Sequence, residues 1–89
     1  MMSATAKRDI HEDIERERDR QHAKWGTQRH DFAVWITVLS EEVGELARAV
    51  LGYRAGEAPA FDLDAMRAEA VQVAAVAVAM IEHIDEVRA

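Results

Sequence analysis

Eighty-nine residues at 10.0 kDa are too few to stabilise two separate cores, so the chain is read as one domain. With 49% hydrophobic and 31% charged residues it is too apolar for intrinsic disorder, and four glycines with one proline leave little material for the many turns of an all-β fold. A net charge of −6 opposes a sequence-independent grip on a nucleic acid polymer or an anionic membrane, and the absence of cysteine excludes a disulfide framework and thiolate zinc sites. Residues 1–8 lack the apolar stretch of a signal peptide, and the longest apolar run, 73–81, falls short of the ~18 residues a membrane span needs. A soluble, cytoplasmic, all-α protein is expected. A core this small is expected to be supplemented by another chain, a metal ion or a ligand.

Periodicity predicts three helices, at about 7–25, 31–53 and 62–88, with no internal repeat. In the first, Glu12 precedes Arg16 by four and Glu15 precedes Arg18 by three, spacings at which opposite charges meet on a helix surface. Its apolar stripe is thin, made of Ile10, Ile14 and Trp25, with Gln21 on the same side. Gly26 marks its end. Asp31 is placed to cap the second helix, where Phe32, Ile36, Leu39, Val43, Leu46, Val50 and Tyr53 recur at alternating spacings of four and three. That seam predicts helix-on-helix packing. A connection containing Gly56 and Pro59 follows, and Asp62 or Asp64 is expected to cap the third helix.

The third helix is apolar on two sides, with Val73, Val76 and Met80 on one and Ala74, Val78 and Ile81 on the other. One chain of three helices hardly covers both surfaces. The expected architecture is therefore a helical chain that completes a four-helix-bundle core by forming a homodimer or homotetramer.

Most acidic residues, among them Glu12, Asp13, Glu15, Glu17, Glu57, Asp85 and Glu86, read as solvated faces. Others do not. At ~100° per residue Glu42 lies at the margin of the second helix's seam, with Glu45 and Glu41 fanning outward on the same side. Glu69 falls near the centre of the stripe of Met66, Val73, Val76 and Met80, with Gln72 one turn later. A lone buried carboxylate costs several kcal/mol unless it is protonated, paired or bound to a cation. Packing of the two seams is expected to bring Glu42, Glu45, Glu69 and Gln72 to one patch of oxygen ligands, which suits Mg²⁺, or Mn²⁺ in its place, with phosphate and water completing the shell. The competing expectation is that Arg48 and Arg54 neutralise the acids from the surface.

The same residues carry a resemblance. Glu41-Glu42-Val43-Gly44-Glu45 followed by Glu69-Ala70-Val71-Gln72 is similar to the EExxE and ExxD signature of the MazG-like nucleoside triphosphate pyrophosphohydrolases. Arg20-Gln21-His22-Ala23-Lys24-Trp25-Gly26 resembles the RQxxKWG stretch of their small members, and the alanine- and valine-rich run from Gln72 to Ala79 resembles their third helix. Together the segments cover most of the chain from Arg16 to Ile84. The resemblance implies a helical dimer or tetramer that uses Mg²⁺ to hydrolyse a (deoxy)nucleoside triphosphate to the monophosphate and pyrophosphate. One departure stands out: Gln72 occupies the place of the signature's aspartate, which removes one negative charge.

On that reading Glu42, Glu45 and Glu69 are metal ligands with Gln72 as a fourth, and Glu41 is either a second-metal ligand or the base that orients the attacking water. Arg20 and Lys24 are candidates for phosphate contact. Gln21 is a candidate for reading a base edge or capping a neighbouring helix. Trp25, an aromatic closing a helical stripe, is read first as packing and second as a flat surface for a base. Trp35 is expected in the core or an interface, His83 as a hydrogen-bonded core or interface histidine, and His11, His22 and His30 on the surface. Two other function classes remain open: a noncatalytic helical dimerisation and protein-interaction module, and a degenerate family member that binds nucleotide with reduced turnover.

Overall fold

A computed structural model of the chain describes residues 2–54 and 62–89. Among these residues the structure is entirely helical: α1 (Ala4–Trp25), α2 (Phe32–Arg54) and α3 (Asp62–Arg88). The expected Gly56 and Pro59 connection and an Asp62 side-chain cap lie outside the described residues. Asp64, the alternative cap, sits inside α3.

Three of the helix ends have a local cause. Helix α1 starts three residues earlier than periodicity predicts because the Ser3 hydroxyl accepts from the Ala6 amide at 3.1 Å, satisfying a first-turn N–H with no intrahelical partner. It stops at Gly26, whose φ of +69° is accessible to glycine without a Cβ clash; the Gly26 amide closes the helix by donating to the His22 carbonyl at 2.7 Å. Asp31 caps α2 as expected: its Oδ1 accepts from the Val34 amide at 2.9 Å.

The central helix is α3. Both α1 and α2 pack against it, and among the described residues their backbones do not pack against each other. Trp35, Val76 and Ala79 are buried together, with Val38, Leu39 and Met80 packed around them. The seam predicted for α2 is rotated relative to this core. Phe32, Ile36, Val43 and Tyr53 are exposed, while the inward stripe runs through Trp35, Val38, Leu39, Glu42, Leu46 and Ala49. Burying Trp35, only 1% exposed, removes the largest apolar side chain from water, and its polar edge is satisfied because Nε1–H donates to His83 Nδ1 at 2.8 Å. His30, expected on the surface, is half-buried and meets the Trp35 ring edge-on at 4.8 Å between centroids. On the second apolar side of α3, Ala74 is half-buried beside Ile10 and Ile14 of α1, while Val78 and Ile81 stay exposed in the single chain.

The charge pairs predicted within α1 form with other partners. Arg16 bonds Asp13 at 3.1 Å rather than Glu12, and Arg18 reaches Glu82 on α3 at 2.9 Å rather than Glu15. The Arg18 link between helices comes from position, since Arg18 is largely covered and faces α3. Among the described residues no helix is long and apolar enough to cross a membrane.

Candidate metal centre

Glu42 and Glu45 lie three residues apart on α2, hence on one helical face, and Glu69 faces them from α3. One ligand oxygen from each carboxylate lies within 4.8 Å of the other two. Glu42 and Glu69 are half-buried and Glu45 is exposed, so the cluster opens to solvent on one side. Glu42 Oε2 and Glu69 Oε2 are shielded from water and have no hydrogen-bond partner. Buried polar atoms are nearly always paired, and leaving one unpaired costs about 1–3 kcal/mol, more for a charge.

The electrostatics carry the same message. Burial, followed by the charges of Glu45, Glu69, Glu17 and Glu41, pushes the Glu42 carboxyl above the ordinary glutamate range. Burial likewise raises Glu69, reinforced by the neighbouring Glu45 carboxylate. Two acids thus hold protons more tightly than usual, and among the described residues neither forms an ion pair with an arginine. Arg67 is bonded instead to Asp13 at 2.8 Å, and among the described ion pairs none joins Arg48 to Glu69. The Arg54 side chain lies outside the description.

The remaining expected residues are distributed around this centre. Glu41 is exposed and acts on Glu42 through its charge. Gln72 is half-buried and lines a groove between α1 and α3. Arg20 is held by Glu17 through three contacts of 2.6–3.1 Å. Lys24 lies over the Trp25 ring at 4.6 Å from its centroid, and Trp25 is 53% exposed, so the expectation of packing does not hold within this chain. Gln21 is buried at 5% exposure, where its Oε1 accepts from Arg18 at 3.3 Å and its Nε2 donates to Glu17 at 3.4 Å. Neither of these two bonds caps a helix end.

Glu17 was grouped with the solvated acids, yet its side chain is only 14% exposed. The Arg20 hydrogen bond holds its carboxyl below the usual range despite burial. Its charge reaches Glu42 from α1, making it a neighbour of the triad. A signal for this existed: Glu17 lies three after Ile14 and four before Gln21, on the stripe that faces inward.

The donor set fits a hard divalent cation. All three groups are carboxylates from two rigid helices, and an ion between them would partner the two orphaned oxygens and relieve the mutual repulsion. Comparisons of the chain with protein-family models, curated proteins and solved structures return no match.

Proposed function

We propose that this protein is a Mg²⁺-dependent nucleoside triphosphate pyrophosphohydrolase of the MazG-like kind, releasing monophosphate and pyrophosphate. The observation that carries the reading is the convergence of Glu42, Glu45 and Glu69 with two shielded, unpartnered carboxylate oxygens. Oxygen-only ligation suits Mg²⁺ or Mn²⁺, and Mg²⁺ in carboxylate sites is ordinarily completed by substrate phosphates and water. The ion's contribution is to neutralise charge on the phosphate oxygens as the bond breaks.

The side chains supply the rest. Glu41, exposed beside the triad, serves as the group that orients the attacking water or as a further ligand. Arg20 and Lys24 contact phosphate, and the exposed Trp25 ring offers a face for a base. Gln21 serves by holding Glu17. Attack at the α-phosphorus follows from the resemblance of the EExxE and ExxD segments. A homodimer or homotetramer completes the bundle, with a second copy covering the exposed stripes of Ile36 and Val43 on α2 and Val78 and Ile81 on α3.

One observation favours a second reading, a nucleotide binder with little turnover: Gln72 brings an uncharged amide to a position where the signature has an acid. The test of both is a panel of ribo- and deoxyribonucleoside triphosphates with Mg²⁺ or Mn²⁺, following monophosphate and pyrophosphate release. Glu42→Gln and Glu69→Gln are expected to lower kcat by about 10²-fold or more, the scale on which loss of one electrostatic stabiliser is felt. Equal rates for the parent and Glu69→Gln overturn the assignment. A gain in Gln72→Asp from a nearly inactive parent selects the second reading, and metal-independent assembly without nucleotide binding points to a protein-interaction module.

A further inference from the structure

Asp13, Arg16, Glu17 and Arg20 on α1 and Arg67 and Gln72 on α3 line a groove of about 310 Å³ between the two helices. On a chain of net charge −6, three guanidiniums against two carboxylates make this a local reversal of sign. Depth sorts the charges. The Arg16, Arg20 and Arg67 side chains are 75%, 54% and 50% exposed, while those of Asp13 and Glu17 are 31% and 14% exposed. The acids therefore form the underside of the groove and the arginines its open rim.

Asp13 uses one oxygen for each of two arginines: Oδ1 takes Arg16 NH1 at 3.1 Å and Oδ2 takes Arg67 NH2 at 2.8 Å. This arrangement ties α1 to α3 and holds two like charges side by side. Glu17 engages the Nε edge of Arg20. A guanidinium carries five N–H donors, so each arginine keeps several free for an incoming anion. Exposed ion pairs of this kind are worth only ~0–1 kcal/mol, so orienting the arginines is a larger effect than the stability they add. On α3 the groove wall includes Gln72, three residues and so nearly one turn after Glu69, and the charges of Glu17 and Arg20 in the groove are coupled to that of Glu42.

We propose that this groove is a binding site for a linear polyphosphate, gripped by Arg16, Arg20 and Arg67 with Gln72 as a neutral donor. Bidentate contact between guanidinium and phosphate is the chemistry that selects the ligand. Its role in holding the phosphate tail of a nucleotide rests on the function proposed above; its affinity for polyphosphate does not.

The test is calorimetry with inorganic tripolyphosphate, pyrophosphate and orthophosphate, in EDTA and at two salt concentrations, on the full chain. Affinity is expected to rise with the number of phosphates and to fall with salt. Arg67→Gln and Arg16→Gln are each expected to weaken tripolyphosphate about tenfold, and Glu69→Gln, which removes a nearby negative charge, to bind it at least as tightly as the parent. Arg67→Lys keeps the charge but loses the fork and is expected to fall between parent and Arg67→Gln. Should Arg67→Gln fail to fold, Arg16→Gln, altering a 75% exposed side chain within one helix, carries the test. No tripolyphosphate binding by the parent or by Glu69→Gln, or equal binding by parent and both arginine variants, overturns the inference even if nucleotide hydrolysis is observed. Tripolyphosphate binding with these losses, in a protein that hydrolyses no nucleotide, sustains the groove and overturns the hydrolase reading.

Discussion

The two sides of α3 handle charge in opposite ways. Toward α1, each of the buried or half-buried polar groups Gln21, Glu17 and Arg18 has a partner, and the helices are joined by the Arg18–Glu82 and Arg67–Asp13 pairs. Toward α2, an apolar cluster around Trp35 gives way one to two turns along to Glu42 and Glu69, each with a shielded oxygen that no side chain satisfies. The α1 side is a solved problem in polar packing. The α2 side is unfinished at one point, and the best apolar packing in the molecule lies next to it. Marginal domains have only about 5–15 kcal/mol of stability, so an unpaired pair of shielded oxygens is a sizeable fraction of it.

The largest effect is expected where the α2 side is anchored. Trp35→Ala removes the one large side chain that is fully buried among the described residues and strands His83 Nδ1, and is expected to destabilise by about 3–5 kcal/mol, read from denaturant melts. Trp35→Phe, keeping most of the volume and losing the hydrogen bond, is expected to lie well below that. Next is the α1 side: Gln21→Leu leaves Glu17 without its buried donor and is expected to cost about 1–3 kcal/mol, by the same melts. A cost as small as that of a surface change would erase the contrast between the two sides.

The triad is expected to respond with the opposite sign. Glu69→Gln removes a charge that is repelled and unpaired, so it is expected to raise the melting temperature of the metal-free protein by a few degrees while abolishing stabilisation by Mn²⁺. The pH dependence follows from the directions of the shifts. Glu42 and Glu69, raised above 4.5, favour folding most at or below that value, and their contribution is lost as pH climbs through their folded values. Glu17 and Glu86, lowered by Arg20 and Arg29, contribute above 4.5 and lose that contribution as pH falls. These four groups together place a stability maximum near the ordinary glutamate range. Because a cation requires deprotonated ligands, Mn²⁺ is expected to raise the melting temperature more at pH 7.5 than at pH 5. An equal shift at both, by scanning calorimetry, argues against ligation by the triad. The smallest effect is expected for Arg16→Ala, within about 0.5 kcal/mol by denaturant melts, since the Arg16 side chain is 75% exposed and its partner lies one turn away on the same helix.

Helix content, number and order were legible along the chain because each depends on neighbours within a few residues. The Asp31 cap, the glycine stop at Gly26 and the 3.6-residue periodicity all act over less than two turns. The meeting of Glu42, Glu45 and Glu69 was legible for a related reason: carboxylates at the margin of one apolar stripe and near the centre of another can hardly avoid each other once those stripes pack. Local rules could not supply the angle at which α2 sits on α3. That rotation put Trp35 inside and left Phe32, Ile36 and Val43 outside, because it is chosen by the fit of the bulkiest side chain and its hydrogen bond to His83, 48 residues away.

The partners of charged residues were the least predictable feature. Arg18 has acids within reach on its own helix and nevertheless bonds Glu82, because the approach of α3 covers it and brings that carboxylate to 2.9 Å. Glu17, on the inward stripe of α1 with Ile14 and Gln21, became a neighbour of the triad by the same approach. Sequence alone determined which segments coil, where the described caps and stops form and which acids are out of place. Only tertiary structure decided which face of each helix is inside and which charges meet, because those depend on distances between residues far apart in the chain.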